Sequence, residues 1–96
     1  MILLYEIIFS LKAKKQLLKL ERNTQERVIA SLERIRIRPE VFITKLVGDP
    51  GYKLRISDYR VIMDIDKNNL IILVIKVSHR KNIYTILLNL SHSRFF

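Results

Sequence analysis

Cysteine is absent from the 96 residues. The chain therefore has no disulfide, no thiolate metal site and no thiol nucleophile, a composition that fits an intracellular protein best. Glycine is almost as scarce, with Gly48 and Gly51 the only two, which excludes a glycine-rich loop that cradles phosphates. His79 and His92 are the only histidines and lie thirteen residues apart. With no acidic neighbours at ligand spacing, they do not suggest a metal cluster. The longest apolar run, LIILVI from Leu70 to Ile75, is far short of the about 18 residues of a membrane span. The opening MILLYEIIF has no basic region ahead of it and carries Glu6 within it, so it does not read as a signal peptide. Acidic residues complete the shortages: nine Asp and Glu face eighteen Lys and Arg, a formal net charge of +9. So strong a field on so small a body attracts polyanions. Nucleic acid is the first partner class it suggests and an acidic protein the second, with solubility as the plainest alternative.

What is present supports one folded domain over residues 1–96, because 49% of the residues are hydrophobic and can supply a real though small core. Residues 2–9 are β-branched and aromatic, with Leu3, Tyr5, Ile7 and Phe9 on one face and Glu6 on the other, the pattern of an opening strand. Ser10 is placed to cap a helix from Leu11 to about Glu21. In that helix Ala13, Leu17 and Leu20 form the apolar face, and Lys12, Lys14, Lys15 and Lys19 occupy the rest. Asn23 followed by Glu26 resembles a capping box, and Val28, Ile29, Leu32 and Ile35 make the stripe of a second helix that Pro39 ends. Two helices with almost no linker form a hairpin suited to one face of a sheet. Residues 40–51 are a turn-rich connection, residues 67–69 a tight turn, and Leu70 to Ser78 a strand apolar enough to be covered on both faces. The closing TILLNLSHSRFF suits either a short docked helix or a loose tail. The expected class is α+β, with an antiparallel sheet and the helical hairpin on one face, in the order β-α-α-β-β-β.

The segment YKLRISDYRVIM, residues 52–63, carries the chemistry. With a period of two, Tyr52, Leu54, Ile56, Tyr59, Val61 and Met63 share one face and Lys53, Arg55 and Arg60 the other. A two-residue loop at Ser57–Asp58 would set Arg55 directly opposite Arg60. Like charges so placed repel. The arrangement is tolerable if a phosphate lies between the guanidiniums, which bind its oxygens bidentately. The other reading is that Asp58 or Asp64 neutralises each arginine in a surface ion pair. Lys76, Ser78 and Arg80 share one parity at the end of the last strand. Beside the hairpin in a sheet, they would converge with the first set on one concave patch bounded by Tyr84. Asp64 and Asp66 share a strand face but adjoin a polar turn, so a solvated hairpin end is the preferred reading over a carboxylate pair. His79 has the opposite parity to Arg80 and is read as packing or hydrogen bonding.

The succession Y-K-L-R-I-S-D-Y-R-V-I-M, followed by an apolar strand ending V-S-H-R-K-N-I-Y and preceded by a strand and two helices, resembles the RelE/ParE superfamily of bacterial and archaeal toxins. The resemblance covers residues 2 to about 84. For the RelE branch it implies a cytoplasmic messenger-RNA interferase, a metal-independent endoribonuclease that acts in the ribosomal A site. There the ribose 2′-hydroxyl attacks the adjacent phosphate, and no cofactor is required. It further implies that Lys53 helps deprotonate the 2′-hydroxyl, which nearby Arg55 and Arg60 would favour by making a second positive charge costly. Arg55 and Arg60 would hold the scissile phosphate, Arg80 would serve the departing 5′-oxygen, and Tyr84 would stack on or orient a base. Some members carry two lysines where this chain has Lys53 and Arg55, which leaves the division of roles between them open. Implied partners are a RelB-like antitoxin wrapping the toxin, with Ile86 to Leu90 as a dock for its helix, and the ribosome with its mRNA and rRNA. The lysines of the first helix could touch rRNA backbone or serve as a solubilising face. The ParE branch, which poisons DNA gyrase without nuclease activity, and a member that only binds antitoxin or RNA are the alternatives.

Overall fold

Alternation of apolar and polar residues sets the sheet, and two short helical stripes cover it. The computed structural model describes residues 3–79. Within them the order is β1 (Glu6–Phe9), α1 (Leu11–Leu18), α2 (Arg22–Arg34), a single 3-10 turn (Pro39–Val41), β2 (Thr44–Lys45), β3 (Tyr52–Ile56), β4 (Tyr59–Asp66) and β5 (Ile71–His79). Among the described residues the strands form one five-stranded sheet in the spatial order β1-β5-β4-β3-β2. The pairs β2–β3, β3–β4 and β4–β5 are antiparallel. β1 joins the edge of β5 in parallel, while the helical hairpin after it carries the chain across the sheet to β2 at the far edge. The fold is thus α+β with the expected element order, and its sheet is mixed through β1 alone.

Ser10 fixes where α1 starts. Its hydroxyl accepts the Ala13 N–H at 3.0 Å, closing one of the donors that a helix start leaves open. α1 ends at Leu18, earlier than the lysine-rich pattern suggests. The residue that caps α2 is Glu21, without a side-chain hydrogen bond, so Asn23 lies inside the helix and makes no capping box. The side chain of Gln25 explains the shift. Its amide donates to the carbonyls of Leu20 at 2.8 Å and Leu18 at 3.3 Å, which satisfies the end of α1 from the first turns of α2 and requires those turns to be helical already. α2 stops at Arg34, before Pro39, which opens the 3-10 turn.

The core lies between the two helices and one face of the sheet. Ala13 and Leu17 of α1, then Val28, Leu32 and Ile35 from α2 and its C-terminus, meet Leu54, Ile56, Val61, Met63, Ile72, Val74 and Val77 from the strands. Ile29 falls off this stripe and is exposed, as is Leu3 ahead of β1. Arg36 ties the end of α2 to the start of β1: its Nε donates to the Tyr5 carbonyl at 2.7 Å, and the Tyr5 N–H donates to the Arg36 carbonyl at 2.9 Å. Among the described residues the interior strand β5 is covered on one face. Ile72 and Val74 are fully buried, while Leu73 and Ile75 remain 37% and 38% exposed. Its continuous apolar run reflects an interior position between β1 and β4. The turn-rich connection also contains the short edge strand β2, which pairs Thr44 with Lys53 and Lys45 with Tyr52.

Candidate nucleic-acid interface

The β3–β4 hairpin forms in the register that places its cations opposite one another. Ile56 pairs with Tyr59, Arg55 with Arg60, Leu54 with Val61 and Lys53 with Ile62. Ser57 takes a φ of 56° in the loop, a left-handed conformation that turns the chain within two residues. Leu54, Ile56 and Val61 are buried under the helices. Their neighbours Lys53, Arg55 and Arg60 therefore stand on the opposite, open face. Directly opposed side chains across antiparallel strands have Cβ atoms about 4.5–5.5 Å apart, so the two arginines rise from adjacent positions on this face.

β5 extends this surface. Its register sets Ser78 beside Arg60 and Lys76 beside Ile62. Two rows then cross the open face: Lys53, Ile62 and Lys76 in one, Arg55, Arg60 and Ser78 in the next. Neighbouring strands are about 4.8 Å apart, so the cations of the two rows lie within reach of one dinucleotide.

Strict alternation would forbid this placement. Ile72 and Val74 face the helices, and the same parity would send Lys76 and Ser78 into the core. The pairing shifts between Ile62 and Met63, where Met63 meets Val74 and Ile62 meets Lys76. Ile75 is the additional residue of a β-bulge. Val77 then returns to the core at 3% exposure. Buried positions at 72, 74 and 77, two residues apart and then three, follow from this bulge.

Acidic residues leave the cations alone. Among the described residues the ion pairs are Arg22–Glu26 and Glu33–Arg36, both within or beside α2. Asp64 accepts the Ile65 N–H, and Asp66 accepts from the Asn68 N–H, the Asn69 N–H and the Asn69 amide in the turn to β5. These bonds, the Asn69 side chain first, hold the Asp66 carboxyl below its ordinary range. Neither Asp58 nor Asp64 neutralises Arg55 or Arg60, as a surface salt-bridge reading requires. The Nε of Arg60 is buried and has no hydrogen-bond partner among the described residues. An unpaired buried donor on an always-charged group is costly, and a phosphate oxygen would satisfy it.

His79 pairs with Tyr59 rather than with the arginine row, its ring edge-on to the tyrosine at 4.8 Å between centroids. Arg80 and Tyr84 lie outside the described residues, as do His92 and the C-terminal stretch from Ile86 to Leu90. Lys12, Lys15 and Lys19 lie along the exposed side of α1 beside Leu11 and Gln16.

A family model for the ParE toxin of the type II toxin–antitoxin system parDE matches residues 7–84. Among solved structures, a chain of the intact RelBE toxin–antitoxin complex of E. coli is 26% identical, with a TM-score of 0.69, covering 78% of this chain and 95% of that one. The free state of a doubly substituted E. coli RelE toxin is 22% identical, with a TM-score of 0.70 and coverage of 97% and 99%. A chain of the RelBE2 toxin–antitoxin complex of Mycobacterium tuberculosis is 20% identical, with a TM-score of 0.76 and coverage of 83% and 95%. The last two likenesses establish a shared fold. Comparison of the sequence with curated proteins gave no match.

Proposed function

Because the chain belongs to the ParE toxin family of type II toxin–antitoxin systems, within the RelE/ParE superfamily, we propose that this toxin is a ribosome-dependent endoribonuclease that cuts messenger RNA in the A site. One observation carries the reading: Lys53, Arg55 and Arg60 gather on the sheet face opposite the helices, without carboxylate partners among the described residues. A gyrase-binding surface has no stated need for two opposed guanidiniums, whereas a phosphodiester in reaction does.

In the proposed reaction Lys53 accepts the proton of the 2′-hydroxyl as the 2′-oxygen bonds to phosphorus. The bond from phosphorus to the 5′-oxygen breaks, leaving a 2′,3′-cyclic phosphate and a free 5′-hydroxyl. Arg55 and Arg60 hold the nonbridging oxygens, where negative charge grows in the transition state. Arg80 supports the departing 5′-oxygen, which takes its proton from water, and Tyr84 stacks on a splayed base. A RelB-like antitoxin is the proposed partner, supported by the antitoxin complexes among the similar structures. We place the reaction in the cytoplasm, where messenger RNA is translated.

The second reading is gyrase poisoning, which the family model's ParE description favours. Programmed ribosomes given the protein decide between them. Cut messenger is expected, with Arg60→Ala slowing cutting by about 100- to 1000-fold, the range for loss of one transition-state charge donor, and Arg80→Ala abolishing it in a folded protein. Intact messenger together with gyrase-linked DNA breaks would establish the second reading. Neither effect would leave a protein that only binds.

A further inference from the structure

The bulge in β5 is held from outside the sheet. The Ser10 hydroxyl donates to the Ile75 carbonyl at 3.0 Å while accepting the Ala13 N–H, which uses the one donor and one of the two lone pairs that a hydroxyl has. Two residues further along β5, the Val77 N–H donates to Gln16 Oε1 at 2.8 Å in a partly buried contact. The Ser10 N–H also donates to the Val74 carbonyl at 2.8 Å. α1 therefore satisfies backbone groups on both sides of the residue that breaks the strand's alternation. A bulge leaves its extra residue out of the ladder, and buried backbone groups without partners are costly. These side chains remove that cost at one register only.

We propose that Gln16, with Ser10, is a positioning residue that locks the β5 bulge so that Lys76 faces the phosphate beside Lys53. Lys76 is then a further phosphate contact of the cationic rows. The inference rests on the proposed RNA site for the role of Lys76, but not for the lock itself. Gln16 belongs to a helix whose other polar residues on that side are lysines. It is the side chain there that presents an acceptor to β5.

Two measurements test this. In Gln16→Met the side-chain length is kept and the acceptor is lost. The free variant is expected to fold, to lose hydrogen-exchange protection at the Val77 amide, and to weaken the cross-strand nuclear Overhauser contact between Ile62 and Lys76 in favour of one between Ile62 and Ile75. Gln16→Glu, which keeps an acceptor, is expected to restore both signals. On programmed ribosomes, Gln16→Met and Lys76→Ala are each expected to slow cutting, by up to about 100-fold for a displaced contact. The double variant is expected to be no slower than the worse single variant. Full retention of Val77 protection and of the Ile62–Lys76 contact in Gln16→Met overturns the proposal, as do effects of the two substitutions that multiply. If the unaltered protein cuts nothing, the function reading fails separately, and the amide and register signals decide the lock by themselves.

Discussion

The two faces of the sheet are built from the same strands and obey different rules. On the covered face the middle of the sheet is apolar and close-packed: Val61, Met63, Ile72 and Val74 have no exposed surface at all. One residue further along each strand, the open face carries Lys53, Arg55, Arg60 and Lys76, with neither ion pairs nor a hydrogen bond to the buried Arg60 Nε among the described residues. The covered face gains stability from burial, roughly 1.5–3 kcal/mol for each fully buried Val, Leu or Ile. The open face gives some of it away, since opposed like charges and an unsatisfied donor both disfavour the folded state. Such cost at a defined spot is what a site prepared for a charged ligand looks like. The far end of the same open face is different again, with Glu6, Asp64 and Asp66 around Ile71 and Leu73. Positive charge is therefore confined to the hairpin end of the face.

The sharpest way to separate the faces is a truncation on the covered side. Leu32→Ala, at 1% exposure, is expected to lower unfolding free energy by about 2–5 kcal/mol, read by urea denaturation, with cutting preserved while the protein remains folded. The converse change is Arg60→Met on the open face. We expect it to slow cutting by about 100- to 1000-fold but raise stability by roughly 0.2–1 kcal/mol, the size of a cross-strand pair effect. A fall in stability would mean that Arg60 supports the fold, and the contrast between faces would weaken. The smallest effect concerns the acidic end. The depressed Asp66 carboxyl favours the native turn above the unfolded carboxylate pKa, about 3.9. That contribution fades as pH falls through the lower folded value. Asp66→Asn is accordingly expected to melt lower than the unaltered protein near neutral pH, with the gap closing in strong acid. A gap that persisted there would assign the effect to something other than the carboxylate charge.

The hairpin was legible in the sequence because its signals are local. Alternation over residues 52–63 fixes both the buried set and the cationic set, and a two-residue loop then pairs Arg55 with Arg60. Ser10 was legible as a cap for the same reason. The capping of α2 was not: Asn23 and Glu26 have the spacing of a cap, but Gln25 reaching back to Leu18 and Leu20 decides the boundary, and that contact spans two helices. β2 was hidden because two residues give no periodicity to read. The parallel placement of β1 depends on where the helical hairpin returns the chain.

Residue order by itself determined which side chains are apolar, which are permanently charged, and how they alternate along each strand, since these follow from side-chain chemistry and the pleat. Only the tertiary structure decided which alternating face is closed by helices and where alternation breaks. The parity of Lys76 depends on a bulge whose backbone groups are satisfied by Ser10 and Gln16, more than sixty residues away in the chain. A hydrogen bond over that separation leaves no local trace in sequence, because each partner is ordinary where it stands and acquires its role only when the helix lies across the strand.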